Sequence, residues 1–131
     1  MPALARIVLV DDCEADNVYH EIIIKRAGFN GEIVIIENGV DALDYLKTAD
    51  LEQPTCIFLD INMPMLDGFE VAERAVALLR GTRAVIMMLT SSSSPADRRR
   101  AEELGIIKGF ITKPLTDETV KGLLAVDSDA R

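Results

Sequence analysis

The chain has 131 residues, 49% of them apolar and 27% charged, enough to bury a core in one domain without staples and unlike a disordered tract. Its net charge of -8 argues against nucleic acid or an anionic membrane as a direct partner. The longest apolar runs fall far short of the roughly 20 residues that a bilayer span needs. The N-terminal stretch, one Arg before a short apolar run that ends in two acids, is not expected to be a secretory signal. The expectation is a single cytoplasmic domain over residues 1–131, with its core at about 6–126 and a frayed tail from Asp127 to Arg131.

In chain order, Arg6-Ile7-Val8-Leu9-Val10 is an unbroken apolar run ending in the acid pair Asp11-Asp12. Without polar alternation it reads as a strand covered on both faces. From Glu14 to Ala27, Val18, Ile22 and Ile23 recur at helical spacing, and Gly28 stands where a left-handed cap is expected. His20, four residues after Asp16, is read there as a surface residue. Cys13 beside the acids is not expected to be redox-active, because neighbouring carboxylates raise a thiol pKa. Ile33 to Ile36 is a second strand. Asn38 with Asp41 caps a helix through Leu46, and Thr48 to Thr55 is a polar loop.

The stretch that organises the chain follows: Cys56-Ile57-Phe58-Leu59-Asp60-Ile61-Asn62-Met63-Pro64-Met65-Leu66-Asp67-Gly68. An apolar strand ends in one carboxylate, Pro64 forbids its continuation, and Asp67 with Glu70 forms an N-cap and its reciprocal partner for a helix from Phe69 to about Leu79. Met63 and Met65 read as packing residues, because thioethers suit soft ions. Ala84 to Leu89 is the fourth strand, ending at Thr90 and a run of four serines. Ser94-Pro95-Ala96-Asp97 opens a helix that stops at Gly105. Within it Arg98, Arg99 and Arg100, spread by about 100° each, are mainly a solvated surface. Ile107 to Thr112 is the fifth strand, followed by Lys113-Pro114 and a last helix capped by Thr116.

Five strands alternating with five helices predict an α/β fold with a doubly wound parallel sheet. Right-handed crossovers and the common order 2-1-3-4-5 bring the first and third strands together at the centre. Asp11, Asp12 and Asp60 then meet at the carboxyl edge, flanked by Thr90 and Lys113. On that sheet Cys13 and Cys56 lie near opposite ends, about 10 Å or more apart, too far for a disulfide. Two carboxylates about 4 Å apart repel by roughly 4 kcal/mol at an effective dielectric near 20, so protons or a cation must sit between them. All-oxygen donors with several acids suit magnesium, whose open positions fit a phosphoryl group. A carboxylate can attack phosphorus, and Lys113 with the Thr90 hydroxyl can receive the transferred oxygens. Asp60 sits between both sets and is the candidate acceptor.

These residues taken together resemble the receiver domain of two-component response regulators: Asp11-Asp12, Asp60 within its loop motif, Thr90, Phe110 and Lys113-Pro114, each at the expected strand end. The resemblance implies a single-domain response regulator that accepts phosphate on Asp60 from a histidine kinase or a histidine phosphotransfer protein. It also implies a metal set of Asp12, Asp60 and the Asn62 carbonyl, with Asp11 acting largely through water. Thr90, Ser91 and Lys113 would contact the phosphoryl group, and Asn62 and Ser92 would tune its lifetime. Read on their own, Ser91, Ser93 and Ser94 are an ordinary capping loop, and Phe110 is as readily a core residue as a switch. As a switch, Thr90 moves inward and Phe110 follows, altering a docking face for a downstream protein; Phe in place of the common Tyr predicts a weaker or biased response. The oligomeric expectation is a monomer or a phosphorylation-linked dimer. A hydrolase would want a second acid where Asn62 stands, and a flavin carrier would find its phosphate repelled by Asp11-Asp12. A receiver-like docking module independent of phosphate is the remaining alternative.

Overall fold

The computed structural model describes residues 4–91 and 94–129. Five parallel strands alternate with helices: β1 (Arg6–Val10), α1 (Glu14–Arg26), β2 (Glu32–Ile36), α2 (Gly39–Thr48), β3 (Thr55–Leu59), α3 (Gly68–Leu79), β4 (Ala84–Thr90), α4 (Pro95–Leu104), β5 (Ile107–Thr112) and α5 (Asp117–Asp129). The sheet order is β2-β1-β3-β4-β5, as the sequence predicts. Every residue of β1 and β3 is buried, whereas the edge strands β2 and β5 are largely half-buried or exposed. That contrast follows from position: only central strands are covered on both faces and so carry unbroken apolar runs.

Alternation along each strand divides the core in two. Val8, Val10, Ile57, Leu59, Ile86 and Met88 face Leu46, Phe69, Ala72, Ala75 and Ala101 from α2, α3 and α4. Ile7, Leu9, Cys56, Phe58 and Leu89 face Ile23, Ile24, Leu115 and Val120, from α1, α5 and the loop before α5. Register between β1 and β3 pairs Val10 with Leu59, so the residues that follow them, Asp11 and Asp60, come off the sheet side by side.

Local chemistry fixes most boundaries. The Asn38 side chain accepts from the Asp41 amide, Ser94 accepts from Asp97, and Asp67 and Glu70 make a reciprocal capping box. Gly28, at φ 103°, turns the chain out of α1 in the left-handed region that glycine enters without a Cβ penalty. The backbone of α5 stays helical to Asp129, so it runs into the stretch from Asp127 that the sequence reads as a tail.

The inner face of α1 differs from expectation. Val18 and Ile22, read as core positions, are 50% and 49% exposed, while Asn17 and His20 are each 2% exposed alongside Ile23 and Ile24. His20 is therefore an interior residue rather than a surface one. Each of the pair is anchored inside by one hydrogen bond: Asn17 Nδ2 donates to the Asp11 carbonyl at 2.8 Å, although its Oδ1 is buried without a partner, and His20 Nε2 accepts from the Leu115 amide at 3.3 Å. Met65 also departs from expectation. It is 95% exposed with φ 69°, a left-handed backbone held by the loop rather than by packing of its side chain.

Candidate functional site

The carboxyl edge of the sheet is locked by ladder bonds that extend one residue past the strands. Asp11 N–H donates to Ile36, Asp60 N–H to Val10, and Lys113 N–H to Thr90, at 3.0, 3.0 and 2.8 Å. Asp11, Asp60, Thr90 and Lys113 are thus positioned by β-sheet geometry rather than by loops, which is what precise chemistry needs. Behind Asp60 the loop folds tightly: Gly68 N–H donates to the Ile61 carbonyl at 2.9 Å. A Cβ on Gly68 would strike the Asp60 backbone carbonyl and lie 2.9 Å from the Ile61 Cα. Glycine there lets α3 start directly against the acidic strand tip.

Asp11, Asp12 and Asp60 each offer an oxygen within 4.8 Å of the others. Asp11 is 4% and Asp60 5% exposed, while Asp12 lies open to solvent. Lys113 Nζ stands 2.6 Å from Asp11 Oδ2, 2.8 Å from Asp16 Oδ2 and 3.4 Å from Asp60 Oδ2. Asp11 is satisfied on both oxygens, since its Oδ1 accepts from the Cys13 amide at 2.9 Å. Asp60 is not: its Oδ1 is buried with no hydrogen-bond partner. One ammonium among three neighbouring acids leaves the trio short of positive charge, and hard oxygen donors with an orphaned oxygen fit a divalent ion such as magnesium.

The electrostatics agree. Burial pushes the Asp60 pKa above the usual carboxylate value and Asp11 adds to the rise, while Lys113 and Thr90 pull it back. For Lys113, burial disfavours the charge, but the hydrogen bonds it donates to Asp11 and Asp16, with the field of Asp60, outweigh it and hold its pKa above the ordinary lysine value. Asp16 is lowered, chiefly by its hydrogen bond to Lys113.

Sequence reasoning places Asp11, Asp12, Asp60, Thr90 and Lys113 at this edge, and the structure brings them together there. Thr90 is fully buried, Asn62 is exposed two residues past Asp60, and Ser91 is exposed at the end of β4. Ser92 and Ser93 lie outside the described residues. Phe110 is half-buried on β5, packs against the α2–α4 side of the core, and carries the Arg98 guanidinium 4.7 Å from its ring centroid. Arg100 lies likewise 4.4 Å from the Phe69 ring, so two of the three arginines cover aromatic rings although their residues remain exposed. The residues missed are Asp16 and His20. A signal existed: with Asn17 they occupy positions i, i+1 and i+4, a polar patch on one face of α1.

A family model for the response regulator receiver domain matches residues 7–125. The chain belongs to the response regulator receiver domain family. Among its relatives is the probable methanogenesis regulatory protein FilR2 of Methanothrix harundinacea, 34% identical over 113 residues, covering 81% of this chain and 72% of that protein. Another is the alkaline phosphatase synthesis transcriptional regulatory protein PhoP of Bacillus subtilis, 32% identical over 117 residues; they cover 88% of this chain but only 45% of PhoP. The chemotaxis protein CheY4 of Vibrio cholerae superposes with a TM-score of 0.75 at 28% identity, over 95% of this chain and 99% of CheY4. Receiver domains are signalling modules of two-component systems rather than classical enzymes, and aspartate phosphorylation and magnesium binding are characteristic of them. No helix among the described residues is long and apolar enough to cross a membrane.

Proposed function

We propose that this receiver domain is a phosphorylation-driven switch, in which Asp60 accepts a phosphoryl group from a phosphohistidine of a histidine kinase or a histidine phosphotransfer protein. The observation that carries the reading is the orphaned Asp60 oxygen: Asp11 has both oxygens engaged, whereas Asp60 keeps a buried lone pair free, beside Thr90 and Lys113. That oxygen bonds to phosphorus as the phosphorus–nitrogen bond to the donor imidazole breaks; the imidazole leaves with the electron pair and takes up a proton. Lys113 and Thr90, with Ser91 at the rim, receive the phosphoryl oxygens. Asp12, Asp60 and the Asn62 carbonyl would hold the magnesium ion, Asp11 through water; bound there, it neutralises the gathered charge and polarises the arriving phosphoryl oxygens.

In this reading the module works in the cytoplasm as a monomer or a phosphorylation-linked dimer. Thr90 moves toward the phosphoryl group and Phe110 repacks, which changes the face of α4, β5 and α5 that a downstream protein docks on. Asn62 and Ser92 line the approach of water and set the lifetime of the phosphorylated state. Arg98 stacked on Phe110 supports a restrained ring, worth about 0.5–1 kcal/mol at an exposed site.

The test is to add magnesium and beryllofluoride to the wild type and to Asp60→Asn, and to follow backbone amide spectra. Mass spectrometry after a small phosphodonor reports covalent transfer. Amides near Asp60, Thr90 and Phe110 should shift in the wild type alone, with one phosphoryl mass added to it and none to the variant. A silent wild type overturns the proposal and favours a docking module that works without phosphate.

A further inference from the structure

The Lys113 ammonium has three N–H donors and faces three carboxylates, and the two it approaches most closely are Asp11 and Asp16, at 2.6 and 2.8 Å. Asp60 is farther, at 3.4 Å. Of these partners, Asp11 and Asp60 belong to the acid trio that fits a divalent ion, whereas Asp16 stands outside it. Lysine and a divalent ion therefore compete for the carboxylates of Asp11 and Asp60, but not for that of Asp16. The grip of α1 on this segment is double, because one turn after Asp16 the buried His20 accepts the Leu115 amide. The helix thus holds both Lys113 and the backbone two residues beyond it.

We propose that Asp16 is a positioning residue for Lys113: it shares the ammonium with Asp11 and holds it off Asp60, leaving Asp60 open to a divalent ion while Lys113 stays within reach of a phosphoryl oxygen. The inference rests on Asp60 being the phosphoacceptor. Without Asp16, Lys113 settles onto the Asp11–Asp60 pair and acts as an internal competitor of the ion. With Asp16, the lysine keeps a counter-ion that the metal does not claim, and the donor freed from Asp11 or Asp60 on metal binding is available to the incoming oxygens.

The test compares Asp16→Asn with Glu14→Gln, which removes the same charge from the same turn of α1 at an exposed position. Magnesium is titrated into each protein by amide spectra, and the Lys113 15Nζ resonance is recorded in metal-free, lysine-labelled samples. Asp16→Asn should move the Lys113 resonance and weaken magnesium binding by about threefold or more, the scale of a partly exposed ion pair, while Glu14→Gln leaves both close to wild type. In a Lys113→Met background the Asp16→Asn effect on magnesium should vanish. Equal effects from the two acids, or a magnesium effect that persists without the lysine, overturn the proposal in favour of bulk charge. An unmoved Lys113 resonance overturns it directly, whether or not the wild type binds magnesium. A wild type deaf to magnesium and beryllofluoride, with the Lys113 resonance still moving on Asp16→Asn, sinks the phosphoacceptor reading and leaves the Asp16–Lys113 pairing in place.

Discussion

Replacing Asp60 by Asn keeps the shape of the side chain and removes one of three crowded charges. At an effective dielectric near 20, Asp11 within 4.8 Å repels Asp60 by about 3.5 kcal/mol, and Lys113 at 3.4 Å returns about 5 kcal/mol on the same scale. What disfavours the Asp60 charge is burial, the largest cause of its raised pKa, which Lys113 does not fully offset. Since burying an incompletely paired carboxylate costs up to several kcal/mol, a net penalty of about 2 kcal/mol is expected in the wild type. For a domain of this length it corresponds to a rise in Tm of about 6–10 °C in Asp60→Asn over the wild type, measured in EDTA by circular dichroism. Magnesium at ten times its dissociation constant should raise the wild type by about 1.4 kcal/mol in stability and the variant by much less. The pH dependence has a defined sign. Because the folded-state pKa of Asp60 is raised, the native protein binds its proton before the unfolded chain does. The wild type's handicap is therefore full at neutral pH and fades as pH falls through that folded-state value, narrowing the gap to Asn. If Asp60→Asn is no more stable than the wild type in EDTA, the buried Asp60 charge carries no net penalty and the electrostatic account of the site is wrong.

Two further substitutions test the supports of the site. Burial, and then the charge of Lys113, lower the His20 pKa, so the native state refuses a proton that the unfolded chain accepts below its ordinary value of about 6.5. Wild-type stability should fall as pH drops below that value, by at most about 1.4 kcal/mol per pH unit from this residue. His20→Gln keeps an acceptor for Leu115 and should flatten that part of the slope in urea titrations at pH 7.5 and 5.5; an unchanged slope would show that His20 does not resist protonation. Gly68→Ala drives a methyl group into the Asp60 carbonyl and the Ile61 Cα, with an expected loss of about 1–3 kcal/mol in urea unfolding. A neutral result would mean that the loop behind Asp60 relaxes freely.

What the sequence made legible is what is decided locally. A strand that ends in an acid carries the acid to the sheet edge whatever its neighbours do, so Asp11 and Asp60 could be placed from their apolar runs alone. The Asp67–Glu70 box and the Ser94-Pro95 start are settled within four residues, and both helices begin where those signals stand. Met65 illustrates the opposite case: an apolar side chain suggests packing, but the fold of the loop leaves the residue in the left-handed region and out in solvent.

The rotation of α1 about its own axis was not legible, and the functional miss follows from it. Each residue advances about 100°, so taking Val18 and Ile22 as the inner stripe turns Asp16 and His20 outward. The apolar pattern invites that choice, since the helix bears exposed Val18, Tyr19 and Ile22 on the other side. What overrides it lies almost the whole chain away: Lys113 and the Leu115 amide, 97 and 95 residues from Asp16 and His20, meet the helix as polar partners. Once an ion pair and a hydrogen bond occupy one face, the apolar residues about 160–200° around the helix must face outward. The exposure of Val18 and Ile22 and the capture of Lys113 by Asp16 are thus consequences of a single rotation. A binary apolar pattern cannot choose that rotation, because the inner face of α1 is built partly from polar groups whose partners lie far away in sequence.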